Sequence, residues 1–255
     1  MLACTINLAH SVETMELTPI LTRVFQPPKD NIFSELSKVL NVLQEEDIVF
    51  LTSKIISIHE GRCVPISEVS KTDLVTDEAE YIYKVPETDR LLTVTSNTLI
   101  GKSGIDESNA NDHYILLPED SYKSAKEIQE FLKEEFSINK LGVVITDSHS
   151  TPLRYGAMSI SVGSWGIEPI EYHTGKKDLF GRNLKYSKTN IVDSLAASSA
   201  LVSGECAEAT PIVIARDVPS VKFTDQNKRE ELFVEMKDDL YRSLFDKFKK
   251  GGKKA

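Results

Sequence analysis

The sequence predicts an α/β protein. Short β-branched segments alternate along the chain with segments whose apolar residues recur at helical spacing, so strands and helices are not collected in separate halves. No internal repeat or low-complexity linker divides the chain before about Val218. We therefore expect one domain over residues 1–220 and a C-terminal extension over residues 221–255.

Helical spacing of apolar residues occurs in four segments: about 32–43, 125–136, 191–202 and 226–249. Asp30 or Asn31 can cap the first helix, and residues 118–121 are a start signal for the second. The fourth segment carries an apolar stripe from Leu232 to Phe248 with charges around it, which predicts a long amphipathic helix. That helix could pack on its own domain or on a second subunit.

Strand signals lie between the predicted helices, in short segments rich in β-branched residues: 47–51 continuing to Ile58, 91–95, 141–145, 158–162 and 211–214. The chain then ends in Lys249–Ala255, a basic stretch with two glycines. We expect this stretch to be a frayed, solvated tail.

Composition narrows the class of function. The chain has 255 residues, 27% of them charged, and a formal net charge of −9, which disfavours a nucleic-acid-coating role. It lacks an apolar run of about 18 residues and a signal-peptide pattern, so neither a membrane span nor secretion is expected. Cys4, Cys63 and Cys206 are odd in number and far apart, as in proteins of a reducing compartment. A cytoplasmic location is the default expectation.

Several common active-site motifs are poorly matched. The segment Ser96–Ser103 resembles a phosphate loop, but Ser96 stands where a Walker A loop needs glycine. The chain has no GxGxxG, HExxH or CxxC motif, which argues against a dinucleotide fold and a structural zinc site. Asp147, Ser148 and His149 are consecutive, whereas catalytic triads are assembled from distant positions.

Hard oxygen ligands are a better indication of chemistry. Asp106 lies in a polar turn, Asp147 and Ser148 follow an apolar strand, and Glu205 follows the end of a helix. Carboxylate and hydroxyl oxygens suit Mg²⁺ or Mn²⁺, which complete their ligand shells with water and nucleotide phosphates. By spacing alone each position is a weak signal, because an aspartate at a strand end is more often a helix cap or a turn former. By themselves these residues indicate an α/β protein with candidate metal-phosphate chemistry.

Taken in order, seven blocks of sequence resemble the coenzyme F-420-0:L-glutamate ligase family. The similarity extends from about Met15 to Arg216, and its order along the chain is more specific than any single block. The matching stretches are Ser53–Arg62, Ser103–Asn109 with 117–118 and 124–125, Val144–Ser148, 152–156, 172–182, 193–197, and 204–205 with 210–211.

The resemblance implies a γ-glutamyl ligase fold, one mixed α/β domain (α+β, with mixed sheets) that forms an intertwined homodimer. It implies a GTP- or ATP-dependent reaction in which an acceptor carboxylate is phosphorylated and the acyl phosphate is attacked by the amine of L-glutamate. Two divalent cations, Mg²⁺ or Mn²⁺, would offset the charge of the phosphates. The resemblance adds K⁺ as a candidate further ion.

Carried over by position, the resemblance assigns Asp106 and Asp147 to one metal and Ser148 and Glu205 to the second. Arg62 and Arg154 become candidate catalytic residues that bind a carboxylate or phosphate, with a structural ion pair as the alternative. The positions assigned to the nucleotide are Leu17, Thr18, Pro19, Ile20, Ser53, Lys54, Asn109, Ser203, Gly204, Cys206 and Thr210, within a loop running from Ser203 to Thr210.

The chain departs from the family pattern in places that affect the substrates. Ile58 stands where many members have a lysine, and Lys54 would lie roughly 13 Å away if both were on one strand. Residues 149–154 read His-Ser-Thr-Pro-Leu-Arg where the deazaflavin enzymes have a Gly-Arg-Pro-Trp-Arg pattern. Three functions therefore stay open: glutamate ligation to F-420-0, the same reaction on a tetrahydrofolate, and a non-catalytic nucleotide- and metal-binding regulator. No nucleic-acid or membrane partner is expected.

Overall fold

The computed structural model describes residues 14–41 and 43–253. The strands are β1 (Glu16–Ile20), β2 (Ile48–Thr52), β3 (Cys63–Pro65), β4 (Tyr81–Lys84), β5 (Leu91–Thr95), β6 (Thr98–Gly101), β7 (His113–Ile115), β8 (Gly142–Ser150), β9 (Ala157–Trp165), β10 (Ile170–Tyr172), β11 (Lys188–Asn190), β12 (Ile212–Arg216) and β13 (Lys249–Lys250). The helices are α1 (Phe33–Val39), α2 (Ser53–Glu60), α3 (Lys71–Glu78), α4 (Ser121–Phe136), α5 (Ile191–Ser203), α6 (Arg229–Leu232) and α7 (Arg242–Phe245), with a 3-10 turn at Lys102–Gly104.

A five-stranded mixed sheet forms the centre, in the order β1-β12-β2-β8-β9. β2 and β8 are parallel neighbours, and the other three pairs are antiparallel. Both faces of the sheet are covered, because alternate residues of one strand enter different cores. Val49 and Leu51 pack on the side of α1, α2 and α4, whereas Ile48 and Phe50 pack on the side of α5.

Three smaller sheets surround this centre. One is four-stranded, in the order β13-β4-β5-β6, and the others are the pairs β3-β7 and β10-β11. The four-stranded sheet leads directly into the 3-10 turn before Asp106, where Ser103 donates a 2.9 Å hydrogen bond to the Val75 carbonyl of α3. The small sheet and α3 thus hold the polar turn that follows β6.

Most of the predicted elements are confirmed. α1, α4 and α5 occupy the first three predicted helices, and Asn31 caps α1 by accepting hydrogen bonds from Phe33 N and Ser34 N. Asp120 accepts from the first amides of α4, within the predicted start signal. The apolar parts of β2, β5, β8, β9 and β12 match the predicted strands to within a few residues.

The prediction that the strand at 47–51 continues to Ile58 is wrong. The strand ends at Thr52, and residues 53–60 form α2, which stops at Gly61 in a left-handed conformation. Ile55, Ile56 and Ile58 are all buried, because the helix turns its apolar residues toward the core. Burial on a helical face outweighs the strand preference of isoleucine.

The predicted helix over residues 226–249 is also wrong. The segment forms the short helices α6 and α7 and ends in β13, which pairs with β4. Leu240 and Leu244 are exposed, so the apolar stripe does not find one continuous partner surface. A helix of this kind depends on such packing for most of its stability. The division into domains at residue 220 stays a prediction.

The C-terminal tail is not frayed over the residues that the structure describes. Gly251 N donates to the Glu80 carbonyl at 2.8 Å, and Gly252 N donates to the Thr76 carbonyl at 2.9 Å. The expectation of a solvated tail is therefore wrong for residues 249–253, because backbone hydrogen bonds dock them on α3 and β4. Residues 254–255 lie outside the described residues, as do Cys4 and the N-terminal segment 1–13.

Within residues 14–41 and 43–253, every helix is too short or too polar to cross a membrane. Cys63 and Cys206 are free thiols.

Candidate functional site

A cleft of about 620 Å³ lies at the ends of the parallel strands β2 and β8. The carboxyl ends of parallel strands meet at one edge of a sheet, which is where α/β proteins commonly bind ligands. We call this cavity the main cleft. Its walls are the segments Thr22–Phe25, Thr52–Ile55, Gly104–Asp106 with Ser108 and Asn109, Thr146–Ser150, and Ser203–Pro211.

Asp147 lies at the floor of the main cleft and is held by Ser53. The Ser53 hydroxyl donates a 2.7 Å hydrogen bond to Asp147 Oδ1. Burial, and after it the negative charge of Asp106, raise the pKa of Asp147 to about 7 against the effect of the Ser53 hydrogen bond. A carboxyl group in these surroundings would bind a cation favourably, because a nearby positive charge stabilises its ionised form.

Asp106 is the second carboxylate of the main cleft, and it is ionised. Its Oδ1 accepts hydrogen bonds from the backbone amides of Glu107 and Ser108, and its Oδ2 lies 2.6 Å from Lys54 Nζ. Burial alone would raise the pKa of Asp106, but the hydrogen bonds from Lys54 and Ser108 outweigh it and the pKa is below its usual value. Lys54 also donates to the Ser108 carbonyl at 2.7 Å, which fixes the ammonium group beside this turn.

Ser148 and Glu205 form a second pair of oxygen ligands. The Ser148 hydroxyl lies 3.1 Å from each carboxylate oxygen of Glu205. Glu205 belongs to the loop between α5 and β12, and Asn109 donates to the Cys206 carbonyl of that loop at 2.7 Å. The turn containing Asp106 and the loop containing Glu205 therefore meet across the main cleft.

The arrangement of oxygen ligands fits cations that share their shell with a ligand. In the part of the chain that the structure describes, no group of three or more His, Cys, Asp or Glu side chains is close enough to hold a metal ion alone. The main cleft offers two pairs instead, Asp106 with Asp147 and Ser148 with Glu205. Mg²⁺ is commonly bound by one or two carboxylates, with water and substrate phosphates supplying the other ligands.

Groups that attract anions lie beside these pairs. Helix α2 begins at Ser53 in the wall of the main cleft, and its N-cap residue Thr52 makes no side-chain capping hydrogen bond. The first amides of a helix attract anions, particularly phosphate. Lys54 adds a full positive charge at the same end of the helix. Acidic and basic groups thus face one cavity.

Helix α2 places Ile58 close to Lys54. Ile58 lies in the main cleft and is 2% exposed. On the helix, Lys54 is one turn away, roughly 6 Å along the axis, and not the 13 Å expected for a strand. Lys54 therefore brings its charge to the same wall of the cleft that residue 58 occupies.

The structure brings most of the expected residues together. The residues of the predicted set that line the main cleft are Asp106, Asp147, Ser148, Glu205, Ser53, Lys54, Asn109, Ser203, Gly204, Cys206 and Thr210. Leu17, Thr18, Pro19 and Ile20 lie instead in β1, paired with β12, and the following segment Thr22–Phe25 lines the cleft.

The two arginines are not brought into the cleft wall. Arg62 donates to the Leu117 carbonyl at 3.1 Å and to Glu78 at 2.6 Å, and it lies 3.2 Å from Glu119. This is the structural ion pair that the sequence left as the alternative. Arg154 lies in the exposed loop between β8 and β9, where it donates to the Leu153 carbonyl.

Two further residues of the cleft had no role assigned from the sequence. Ser108 orders Asp106, and its position two residues after an aspartate is the signal of an Asx turn. His149 also lines the cleft. Burial lowers the pKa of its imidazole, and Nδ1 is buried without a hydrogen-bond partner among the described residues.

The chain is similar to one family of known proteins. The sequence profile of the family described as F420-0:Gamma-glutamyl ligase matches residues 25–217. A protein of Methanopyrus kandleri named coenzyme F420:L-glutamate ligase is 29% identical over 250 residues, which cover 90% of this chain and 98% of the relative.

Two further relatives carry the same name. The protein of Methanothermobacter thermautotrophicus is 32% identical over 74% of this chain and 81% of its own length. The protein of Methanosarcina barkeri is 31% identical over 87% of this chain and 90% of its own length.

Proposed function

Because the chain belongs to the F420-0:gamma-glutamyl ligase family, we propose that it is a ligase that joins L-glutamate to an acceptor carboxylate. The reaction uses a nucleoside triphosphate, GTP or ATP, and two divalent cations. One observation carries the proposal: Asp106, Asp147, Ser148 and Glu205 come from distant parts of the sequence and line one cleft.

The charges of the main cleft suit phosphoryl transfer. An acceptor carboxylate oxygen attacks the terminal phosphorus, an acyl phosphate forms, and the nucleoside diphosphate leaves. The glutamate amine then attacks the acyl carbon, forming the amide and releasing inorganic phosphate and a proton. Divalent cations held by the two oxygen pairs would offset the negative charge of the phosphates.

The chain's own groups divide this work. Lys54 and the first turn of α2 supply positive charge for phosphate oxygens. Ser53 holds Asp147 with its carboxylate in the cleft. Asn109 joins the turn that contains Asp106 to the loop that contains Glu205.

The acceptor that we propose is F-420-0 or a closely similar carboxylate-ended heterocycle. The names of the relatives support this choice. The departure at Pro152–Arg154 favours including a tetrahydrofolate as a second acceptor in the test, since those residues form an exposed loop beside strands that line the cleft.

We also propose that the protein is a homodimer. Two loops project large apolar side chains that are almost fully exposed in one chain. They are Leu153 and Tyr155 between β8 and β9, and Leu179, Phe180 and Tyr186 between β10 and β11. A second copy would bury these side chains, because large apolar side chains exposed together on a loop commonly mark an interface.

Product formation tests the proposal directly. The purified protein is incubated with Mn²⁺, L-glutamate, either GTP or ATP, and either F-420-0 or tetrahydrofolate. We expect one acceptor to gain the mass of a glutamyl residue while nucleoside diphosphate and phosphate appear in equal amounts. Omitting glutamate or the acceptor is the control for simple nucleotide hydrolysis.

Two outcomes separate the alternatives. If nucleotide and Mn²⁺ bind but no acceptor gains glutamate and no diphosphate appears, the chain is a non-catalytic binding protein. If neither binds, the assignment of the main cleft is also lost.

A further inference from the structure

The loop Gly204–Pro211 between α5 and β12 is anchored near its two ends. Thr210 donates a side-chain hydrogen bond to the Ser203 carbonyl at 2.8 Å, which closes the base of the loop. Thr22 N donates to the Ala209 carbonyl at 2.9 Å and ties the loop to the segment after β1. These contacts fix where the loop begins and ends, but they do not by themselves orient Glu205.

A second carboxylate lies inside this loop. Glu208 Oε2 accepts a 2.8 Å hydrogen bond from the backbone amide of Cys206, so its side chain spans the turn that contains Glu205. A carboxylate bonded to an amide makes a stronger hydrogen bond than a neutral acceptor does.

Gly204 provides the space for this side chain. Its φ is +73°, and a Cβ atom at Gly204 would lie only 2.4 Å from Cδ of Glu208. Glycine is needed here both for the backbone conformation and for the approach of Glu208. The Glu208 carboxylate thus packs against one neighbour of Glu205 and bonds the amide of the other.

We propose that Glu208 is a positioning residue for Glu205. It fixes the backbone on both sides of Glu205, and so holds the Glu205 carboxylate in reach of Ser148 for the second cation. The inference rests on the proposed function, since it assigns Glu208 a role in the same site. Glu208 acts through Glu205 and the loop and does not itself bind the cation.

Two substitutions at Glu208 separate this role from direct binding. Glu208→Ala removes the acceptor for the Cys206 amide, whereas Glu208→Gln keeps an oxygen that can accept the same hydrogen bond. Gly204→Ala is a third variant, which displaces the Glu208 side chain while leaving every carboxylate in the chain. Glu205→Gln is the matched control for loss of the oxygen ligand itself.

The first measurement is amide hydrogen exchange of the loop in protein without metal or nucleotide. We expect the Cys206 amide to exchange at least about tenfold faster in Glu208→Ala and Gly204→Ala, and at close to the wild-type rate in Glu208→Gln. The melting temperature should be unchanged for both Glu208 variants, because the loop lies at the surface.

The second measurement is Mn²⁺ binding with a non-hydrolysable nucleotide analogue, followed by electron paramagnetic resonance. We expect Glu208→Ala to lower the affinity for one of the two bound Mn²⁺ ions about tenfold, and we expect the same of Glu205→Gln. Glu208→Gln should bind both ions with the affinity of the wild type. In turnover, Glu208→Ala should raise the KM for Mn²⁺ more than it lowers kcat.

The outcomes against the proposal are distinct. If Glu208→Ala changes neither exchange nor Mn²⁺ affinity, Glu208 does not position the loop. If Glu208→Gln binds Mn²⁺ as weakly as Glu208→Ala while Cys206 exchange stays normal, Glu208 contacts the ion itself. If the wild type has no ligase activity, the proposed function fails, and the exchange measurement still decides the role of Glu208.

Discussion

At the scale of a single residue, the surroundings of Asp147 disfavour the ionised form of its carboxyl group. Its carboxyl group is half-buried beside another acid, and the pKa is raised to about 7, mainly by burial and then by Asp106. Ser53 donates one hydrogen bond to the carboxylate, which only partly offsets the unfavourable free energy of burying its negative charge. Ionised carboxylates in such places are commonly functional, since a bound cation or substrate pays back the lost stability.

The pH dependence of stability follows from that raised pKa. The unfolded chain ionises Asp147 at about pH 3.9, so the folded form binds more protons between about pH 4 and pH 7. The free energy of unfolding contributed by this group therefore falls as pH rises through that window, and stays low above it. In chelator at pH 8, we expect Asp147→Asn to be more stable than the wild type by about 1–3 kcal/mol.

Urea unfolding at pH 5 and pH 8 measures this effect. Asp89→Asn, at an exposed position between β4 and β5, is the control and should leave the pH dependence unchanged. A less stable Asp147→Asn protein at pH 8 would contradict the prediction.

Metal binding should make the wild type more stable than Asp147→Asn. A cation that binds the folded protein raises the free energy of unfolding by mass action. We expect added Mn²⁺ with nucleotide to raise the melting temperature of the wild type, and to raise that of Asp147→Asn much less. Equal shifts in the two proteins, measured by thermal unfolding with and without chelator, would remove Asp147 from the proposed metal site.

Arg62 has a different role, because its contacts are structural. Its guanidinium joins Glu78, Glu119 and the Leu117 carbonyl, outside the wall of the main cleft. Arg62→Ala leaves Glu78 half-buried without this partner, and we expect a loss of about 1–3 kcal/mol of stability. At a temperature where the variant stays folded, kcat/KM should change less than about threefold; a loss of a hundredfold would restore Arg62 as a catalytic residue.

At the scale of elements, the C-terminal segment is held by its backbone. β13 extends the sheet of β4, β5 and β6, and the glycines after it pack against α3 with no room for a side chain. A Cβ atom at Gly251 would lie 2.0 Å from the Ala79 carbonyl oxygen. The basic composition of the tail therefore says little about its structure, because the contacts that dock it are backbone hydrogen bonds.

Substitution of Gly251 tests whether the C-terminal segment is docked. Gly251→Ala should lower the free energy of unfolding by about 1–3 kcal/mol, since the added methyl group must displace the tail or the end of α3. Gly101→Ala is the matched control, because nothing lies within 4 Å of the Cβ that it adds. Chemical denaturation compares the two, and equal stabilities would show that the tail is not tightly docked.

At the scale of the whole molecule, the exposed apolar loops are the feature that a single chain leaves unexplained. Leu179 is 100% exposed and Phe180 is 90% exposed. We expect the protein to sediment as a dimer, and Leu179→Glu with Phe180→Glu to shift it toward the monomer, because two buried charges per loop would oppose association. Leu201→Glu, at another exposed position, is the control. A wild-type monomer would contradict the homodimer.

The sequence by itself determined the alternation of strands and helices, and it indicated four candidate oxygen ligands. These depend on local spacing and residue chemistry, as in β2 and α4, and the family resemblance gave them an order along the chain. The site in space depended on contacts between residues far apart in the chain. Ser53 and Asp147, for example, are 94 positions apart.

Tertiary structure alone decided the conformation of residues 53–60, the secondary structure of the C-terminal segment and the position of Arg62. An isoleucine-rich segment can form a strand or a helix by its local preferences. Residues 53–60 form a helix because that conformation buries all three isoleucines in the core. The apolar stripe after Leu232 had the period of a helix but lacked a matching surface to cover it. Local patterns fix which faces are apolar, whereas the shape of the surrounding core fixes which conformation can bury them.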